Sequence, residues 1–262
     1  MIESRLLSVH IEKTAGTSIQ DLLETILGKD RVLIYNPIAD TLTRACDLRV
    51  QRTNTVHDIL RLRVANTALA PIINYAYRWL TTSVLKPKTV PISNLPNNFS
   101  AIHGHFAANR FDSQIAHSLL AVVFRDPLER MESQFIHWQR TKGIAEWRVR
   151  VPYDSTLEFE HYALLPQLQN FQSQALGGKD LDAFAIVGIT KNLDTFSLEL
   201  IRALEQNRLA RHSSSEYHVK RLNVTPQRQK GENKGASFLK QFREFHEQDY
   251  LLYERAKKRV NI

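Results

Sequence analysis

Short apolar runs alternate with amphipathic stretches along most of this chain. Residues 6–11, LLSVHI, read as a strand, and Ile19, Leu22, Leu23 and Ile26 then recur at the spacing of one helix face. Residues 31–35 return to a short strand, so the first 35 residues predict β-α-β. Further on, residues 99–103 and 119–124 read as buried strands and residues 127–141 as a helix. A strand over 184–189, a helix over 193–209 and one long charged helix over 236–260 complete the pattern. Such alternation predicts an α/β fold of three layers, a central, mainly parallel sheet flanked by helices on both faces. Ligands of such sheets gather at the carboxyl ends of the strands.

Residues 36–98 break the rhythm. They are irregularly patterned, helical in places, and end in the turn-rich stretch 87–98, which predicts a helical insertion at about 36–98 within a single domain spanning 1–262. The most apolar longer stretch, 64–85, carries Asn66, Pro71, Asn74 and Arg78, which argue against a membrane-crossing helix. A packed accessory helix is the expectation there. Its mix of aromatic and basic residues, Tyr75, Tyr77, Arg78 and Trp79 among them, leaves a peripheral membrane contact open.

Composition narrows the partners. With 262 residues, 43% of them hydrophobic, the chain is long enough for a sizeable core. The 35 basic against 27 acidic residues give a net charge of +8, which favours anionic ligands without choosing among them. Cys46 is the single cysteine, so neither an intrachain disulfide nor a thiolate metal cluster is expected. The amino terminus has no signal-peptide pattern, and the expectation is a cytoplasmic protein.

Two junctions between strand and helix carry candidate chemistry. At the first, His10-Ile11-Glu12-Lys13-Thr14-Ala15-Gly16-Thr17-Ser18 links the first strand to the first helix. Backbone N–H groups and the positive end of a helix dipole converge at such a turn, Gly16 admits close approach, and Lys13 adds a full charge. A phosphate or sulfate suits that geometry. The order differs from the nucleoside-triphosphate loop G-x-x-x-x-G-K-[ST], because Lys13 precedes the single glycine. An ordinary turn with Thr17 or Ser18 as helix cap is the plainer reading of the same residues.

At the second junction Arg125 follows a strand, Asp126 and Pro127 suit a helix start, and Glu129 completes a capping-box-like arrangement. Arg125 offers a rigid fork of donors and Ser133, two turns along, a hydroxyl for the same anion, whereas Arg130 suits a neighbouring carboxylate.

Together these residues resemble the sulfotransferases that use 3′-phosphoadenosine 5′-phosphosulfate, in particular the branch with carbohydrate and heparan sulfate sulfotransferases and bacterial relatives. That branch typically reads H-I-P-K-T-G-G-T-S and then R-D-P-x-x-R-x-x-S; here both appear in order, at residues 10–18 and 125–133. His103-Gly104-His105-Phe106 is similar to its H-G-H segment, and Asn170-Phe171-Gln172 with Leu176-Gly177-Gly178 to its N-x-Q segment. Val187-Gly188-Ile189-Thr190 resembles its V-G-x-T strand end, and Arg221-Leu222-Asn223-Val224-Thr225 with residues 249–253 its carboxyl-terminal pattern. The resemblance covers nearly the whole chain outside 36–98 and implies a P-loop-like fold.

It also implies roles. Lys13, Thr14, Ala15, Gly16, Thr17 and Ser18 would surround the 5′-phosphosulfate, Lys13 neutralising charge on the bridging oxygen. Arg125 and Ser133 would hold the 3′-phosphate, with Arg221, Asn223 and Thr225 near the adenosine or 3′-phosphate. His105 would be the general base and His103 its neighbour, orienting the site or contacting substrate. The implied reaction moves a sulfuryl group to a hydroxyl of a carbohydrate or glycoconjugate, releases adenosine 3′,5′-bisphosphate, and needs no metal. Glu12 and Ala15 depart from the usual proline and glycine, placing an extra acid near an anionic ligand and reducing backbone freedom.

Taken without the resemblance, His-x-His sets both side chains on one strand face, the spacing of a metal pair as well as of a structural pair, and no third ligand is evident. His10 reads as structural. His137, Trp138, Arg140 and Lys142 suit either acceptor contact or a solvated helix end, and the basic residues 217–230 suit a lid. Two other classes remain as alternatives, a nucleotide-dependent kinase or phosphotransferase on a related fold and a noncatalytic anion or nucleic-acid binder. The order around Lys13 counts against the first, and the absence of a nucleic-acid motif against the second.

Overall fold

The computed structural model describes residues 4–37, 39–48, 89–143, 151–210 and 234–261. Seven strands form one sheet: β1 (Arg5–Val9), β2 (Val32–Asn36), β3 (Thr41–Arg44), β4 (Thr89–Pro91), β5 (Ala101–Gly104), β6 (Ser118–Phe124) and β7 (Ile186–Ile189). Their spatial order is β4-β3-β2-β5-β1-β6-β7. From β2 to β7 every neighbouring pair is parallel, and β3 and β4 extend the sheet antiparallel at one edge. The fold is α/β with a mostly parallel central sheet and flanking helices, as the alternating pattern predicts.

Period-two alternation in the strands builds two cores. Leu6, Ala121, Val123 and Ile186 face the layer made by α1 (Gly16–Leu27) and the later helix Leu193–Gln206. Leu7, Val9, Val122 and Phe124 face the other layer, which contains α2 (Pro127–Thr141) and the carboxyl-terminal helices. Between α2 and those terminal helices, the described residues form α3 (Phe159–Ala163), α4 (Phe171–Ala175) and α5 (Leu193–Gln206). Burial of β1 on both faces is what a central parallel strand requires.

Two expectations change. The ends of the span 36–98 are sheet, since β3 and β4 lie within it; both strands are too short and too mixed in polarity to announce themselves by period alone. Residues 49–88, including the stretch 64–85, lie outside the described residues. The long terminal helix is two helices, α6 (Ala236–Phe245) and α7 (Glu247–Arg259), separated at His246. His246 is buried there, its Nε2–H donating to the Ala163 carbonyl (2.9 Å) and its Nδ1 accepting from the Asn170 N–H (3.3 Å). Among the described residues no helix is long and apolar enough to cross a membrane.

β1 lies between β5, which returns from one side of the sheet, and β6, which opens the other. The strand order reverses at β1, so the loop after β1, the end of β5 and the end of β6 meet at one crevice.

Candidate functional site

The loop after β1 is held in a conformation that ordinary side chains rarely adopt. Lys13 and Ala15 both have positive φ, 67° and 69°, with Thr14 between them. Such left-handed residues cost about 1–2 kcal/mol each outside glycine, and alternating them with right-handed ones turns successive N–H groups toward one concavity. The Thr14 side chain is buried and donates to the Ile11 carbonyl (2.8 Å), which locks the turn from inside. Ala15 is the N-cap of α1 and supplies no side-chain cap, so neither Thr17 nor Ser18 takes the capping position. An anion is the natural complement of that uncapped first turn. Ser18 is buried and Thr17 exposed on it.

Gly16 is demanded by a neighbour. A Cβ built there would stand 1.8 Å from Nε2 of His10, whose imidazole fills the space beside the helix start. The His10 ring in turn stacks on His105 (centroids 4.1 Å apart) and His103 (5.2 Å), so three imidazoles form a layer against the loop. Among the described residues no group of three or more His, Cys, Asp or Glu side chains is arranged to hold a metal ion.

His103 lies in β5 and His105 just beyond its end, and the two are not equivalent. His103 is buried, with Nδ1 2.9 Å from Ser8 Oγ. Burial first, and His105 beside it second, push its pKa down to about 3, so it stays neutral. His105 is half-buried, and its Nδ1 lies 2.8 Å from the His10 carbonyl. A carbonyl only accepts, so Nδ1 carries the proton and Nε2 is the basic nitrogen.

The second corner sits directly on the first. Arg125 Nη1 donates to the Lys13 carbonyl (3.3 Å), while Nε lies 3.7 Å from Glu129 Oε2. Lys191, just beyond β7, approaches the other oxygen of Glu129 at 3.0 Å, so one carboxylate faces two cations. Asp126 caps α2 by accepting from the N–H groups of Leu128 and Glu129 (both 3.0 Å), and Pro127 follows at the first helical position. Ser133 is buried on α2 one turn beyond Glu129.

Gln172 supplies a clamp that residue spacing did not announce. Its side-chain carbonyl accepts from the Arg125 N–H (3.0 Å) and its amide donates to the Arg125 carbonyl (2.9 Å), fixing the backbone of the corner from α4. Buried Asp249 of α7 accepts from the N–H groups of Gln172 (3.1 Å) and Ser173 (2.7 Å) and from the Ser173 hydroxyl (2.8 Å). The N-x-Q segment and the late aspartate therefore form one support behind Arg125. The sequence signal for both was present only as motif, without a role.

Glu12 turns toward α2. Its Oε2 is 3.5 Å from Gln134 Nε2, the outer limit of a hydrogen bond, and Oε1 is buried with no partner among the described residues. Gln134 also accepts from Arg130 Nη1, and the Arg130 guanidinium, itself buried, lies 4.9 Å from the centre of the Phe171 ring. Trp138 is core, not a solvated helix end: it is fully buried and donates to the Val151 carbonyl (3.1 Å). Arg221, Asn223 and Thr225, with the basic stretch 217–230, lie outside the described residues.

The fold defines an α/β protein with a left-handed turn between β1 and α1 at the switch point of its sheet. The chain matches no protein-family model and no curated protein.

Proposed function

We propose that the protein is a sulfotransferase that takes its sulfuryl group from 3′-phosphoadenosine 5′-phosphosulfate and transfers it to a hydroxyl of a carbohydrate or glycoconjugate. The observation that carries this reading is the contact between the two anion corners, Arg125 Nη1 on the Lys13 carbonyl. A ligand with two anionic groups on one nucleoside suits two cationic corners joined in this way, while the left-handed turn at Lys13 and Ala15 suits an oxyanion.

When bound, that cofactor supplies an activated sulfuryl group on a nucleotide leaving group. Thr14 to Ser18 would offer backbone donors to its 5′ end, and Lys13 would neutralise charge on the departing oxygen. Arg125 and Ser133 would bind the 3′-phosphate, with Gln172 keeping the Arg125 backbone in place. His105 would take the acceptor proton at Nε2, its ring oriented by the His10 carbonyl and by stacking on His10. Positioning and charge stabilisation dominate transfers through loose transition states.

Thermal unfolding with adenosine 3′,5′-bisphosphate and with ATP plus magnesium tests the reading. The bisphosphate should raise the Tm and ATP should not, because only a ligand of the folded state stabilises by mass action. Stabilisation by ATP with magnesium alone would replace the proposal with a phosphotransferase.

A further inference from the structure

The face of α2 that turns toward the loop continues past Ser133. Gln134 reaches Glu12 of the loop, and His137 stands one turn after Ser133 on the same stripe of the helix. Its ring is half-buried, and Nδ1 is sealed from solvent with no hydrogen-bond partner among the described residues. Buried polar atoms are nearly always paired, so such an exception calls for an explanation. Burial foremost, then the charges of Lys13 and Arg140, push the His137 pKa down to about 4, which keeps the imidazole neutral beside a lysine.

A neutral imidazole both donates and accepts, and those are the two capacities that a hydroxyl group engages. A residue serving only as an anion ligand would gain by being charged. His105 approaches the loop from β5 on one side of β1, and α2 follows β6 on the other, so the two histidines come to Lys13 from opposite sides of the central strand.

We propose that His137 lines the reacting end of the crevice, where its imidazole holds the acceptor hydroxyl beside Lys13. This assignment rests on the sulfotransferase reading and adds to it an acceptor-side residue on α2.

Imidazole 1H–13C spectra of the wild-type protein, with the His137 signal assigned by its loss in His137→Asn, test the assignment alongside calorimetry. Adenosine 3′,5′-bisphosphate should shift that signal along the same saturation curve as its calorimetric binding, and adenosine 3′-monophosphate, lacking the 5′ group, should leave it in place. His137→Ala should bind the bisphosphate within about threefold of wild type, since its contact is to the acceptor. Calorimetric binding with an unmoved His137 signal overturns the proposal, as does equal movement with both nucleotides. An affinity loss of roughly tenfold or more in His137→Ala would make it a phosphate ligand and also overturn it. Failure of the bisphosphate to bind the wild-type protein removes the sulfotransferase reading itself, and the role of His137 with it.

Discussion

At the scale of single residues, the loop shows how a departure from a motif is absorbed. Ala15 takes the left-handed conformation that glycine adopts without strain, at a cost of about 1–2 kcal/mol. Glu12 leaves the concavity for α2, where it meets Gln134. Lys13, Gly16 and Arg125 were legible as candidates because strand-to-helix junctions are local and their residue types carry their chemistry with them. The need for Gly16 was not: it comes from the His10 ring, which tertiary packing brings there. The inequality of His103 and His105 was equally hidden, since their spacing suggests one face and only burial separates them. In the proposed reaction, His105→Ala should lower turnover of sulfate-labelled cofactor by roughly 100-fold, the scale of general-base loss, with bisphosphate binding nearly intact. Unchanged turnover would assign the base elsewhere.

At the scale of elements, boundaries with local causes were readable and those with distant causes were not. The helix Pro127–Thr141 starts where Asp126 and Pro127 set it, and its residues match the expected span. The break at His246 depends on the Ala163 carbonyl and the Asn170 N–H, groups far away in sequence, so periodicity ran straight through it. Strands β3 and β4 exist because β2 offers an edge, which no pattern inside 36–98 reveals. Asp249 joins α7 to the start of α4 and, through Gln172, to the Arg125 corner. Its removal strands several buried donors, so Asp249→Ala should cost about 2–3 kcal/mol in urea unfolding. A change under about 0.5 kcal/mol would mean that other groups satisfy those donors.

At the scale of the whole molecule, buried histidines tie stability to pH. His103 titrates near 3 in the folded protein, against an ordinary value of 6.5, so protonation favours the unfolded chain. Its contribution is therefore fully present above about pH 6.5 and is lost as pH falls toward 3, at up to ~1.4 kcal/mol per pH unit. His137, pushed down to about 4, and His246, lowered mainly by burial, act in the same direction. Urea unfolding at pH 7.5 and 5.0 should show the wild type losing stability on the acid side, and His103→Asn losing less of it. An equal loss in both would place the acid sensitivity elsewhere.

The sequence by itself determined the α/β class, the mainly parallel sheet and the two charged junctions after β1 and β6. Those features rest on hydrophobic period and on contacts within a few residues, and they survive without knowledge of the partners. The tertiary structure decided which residues stand behind the junctions: Gln172 and Asp249 behind Arg125, Gln134 beside Glu12, and His10 between two unequal histidines. Each pairing joins segments far apart in the chain, and whether a polar group is neutral, oriented or left without a partner follows from burial that only packing creates. The loop at residues 10–18 shows both halves. Its chemistry lies in its letters, and its shape is held by a ring, a helix and a guanidinium that other parts of the fold bring to it.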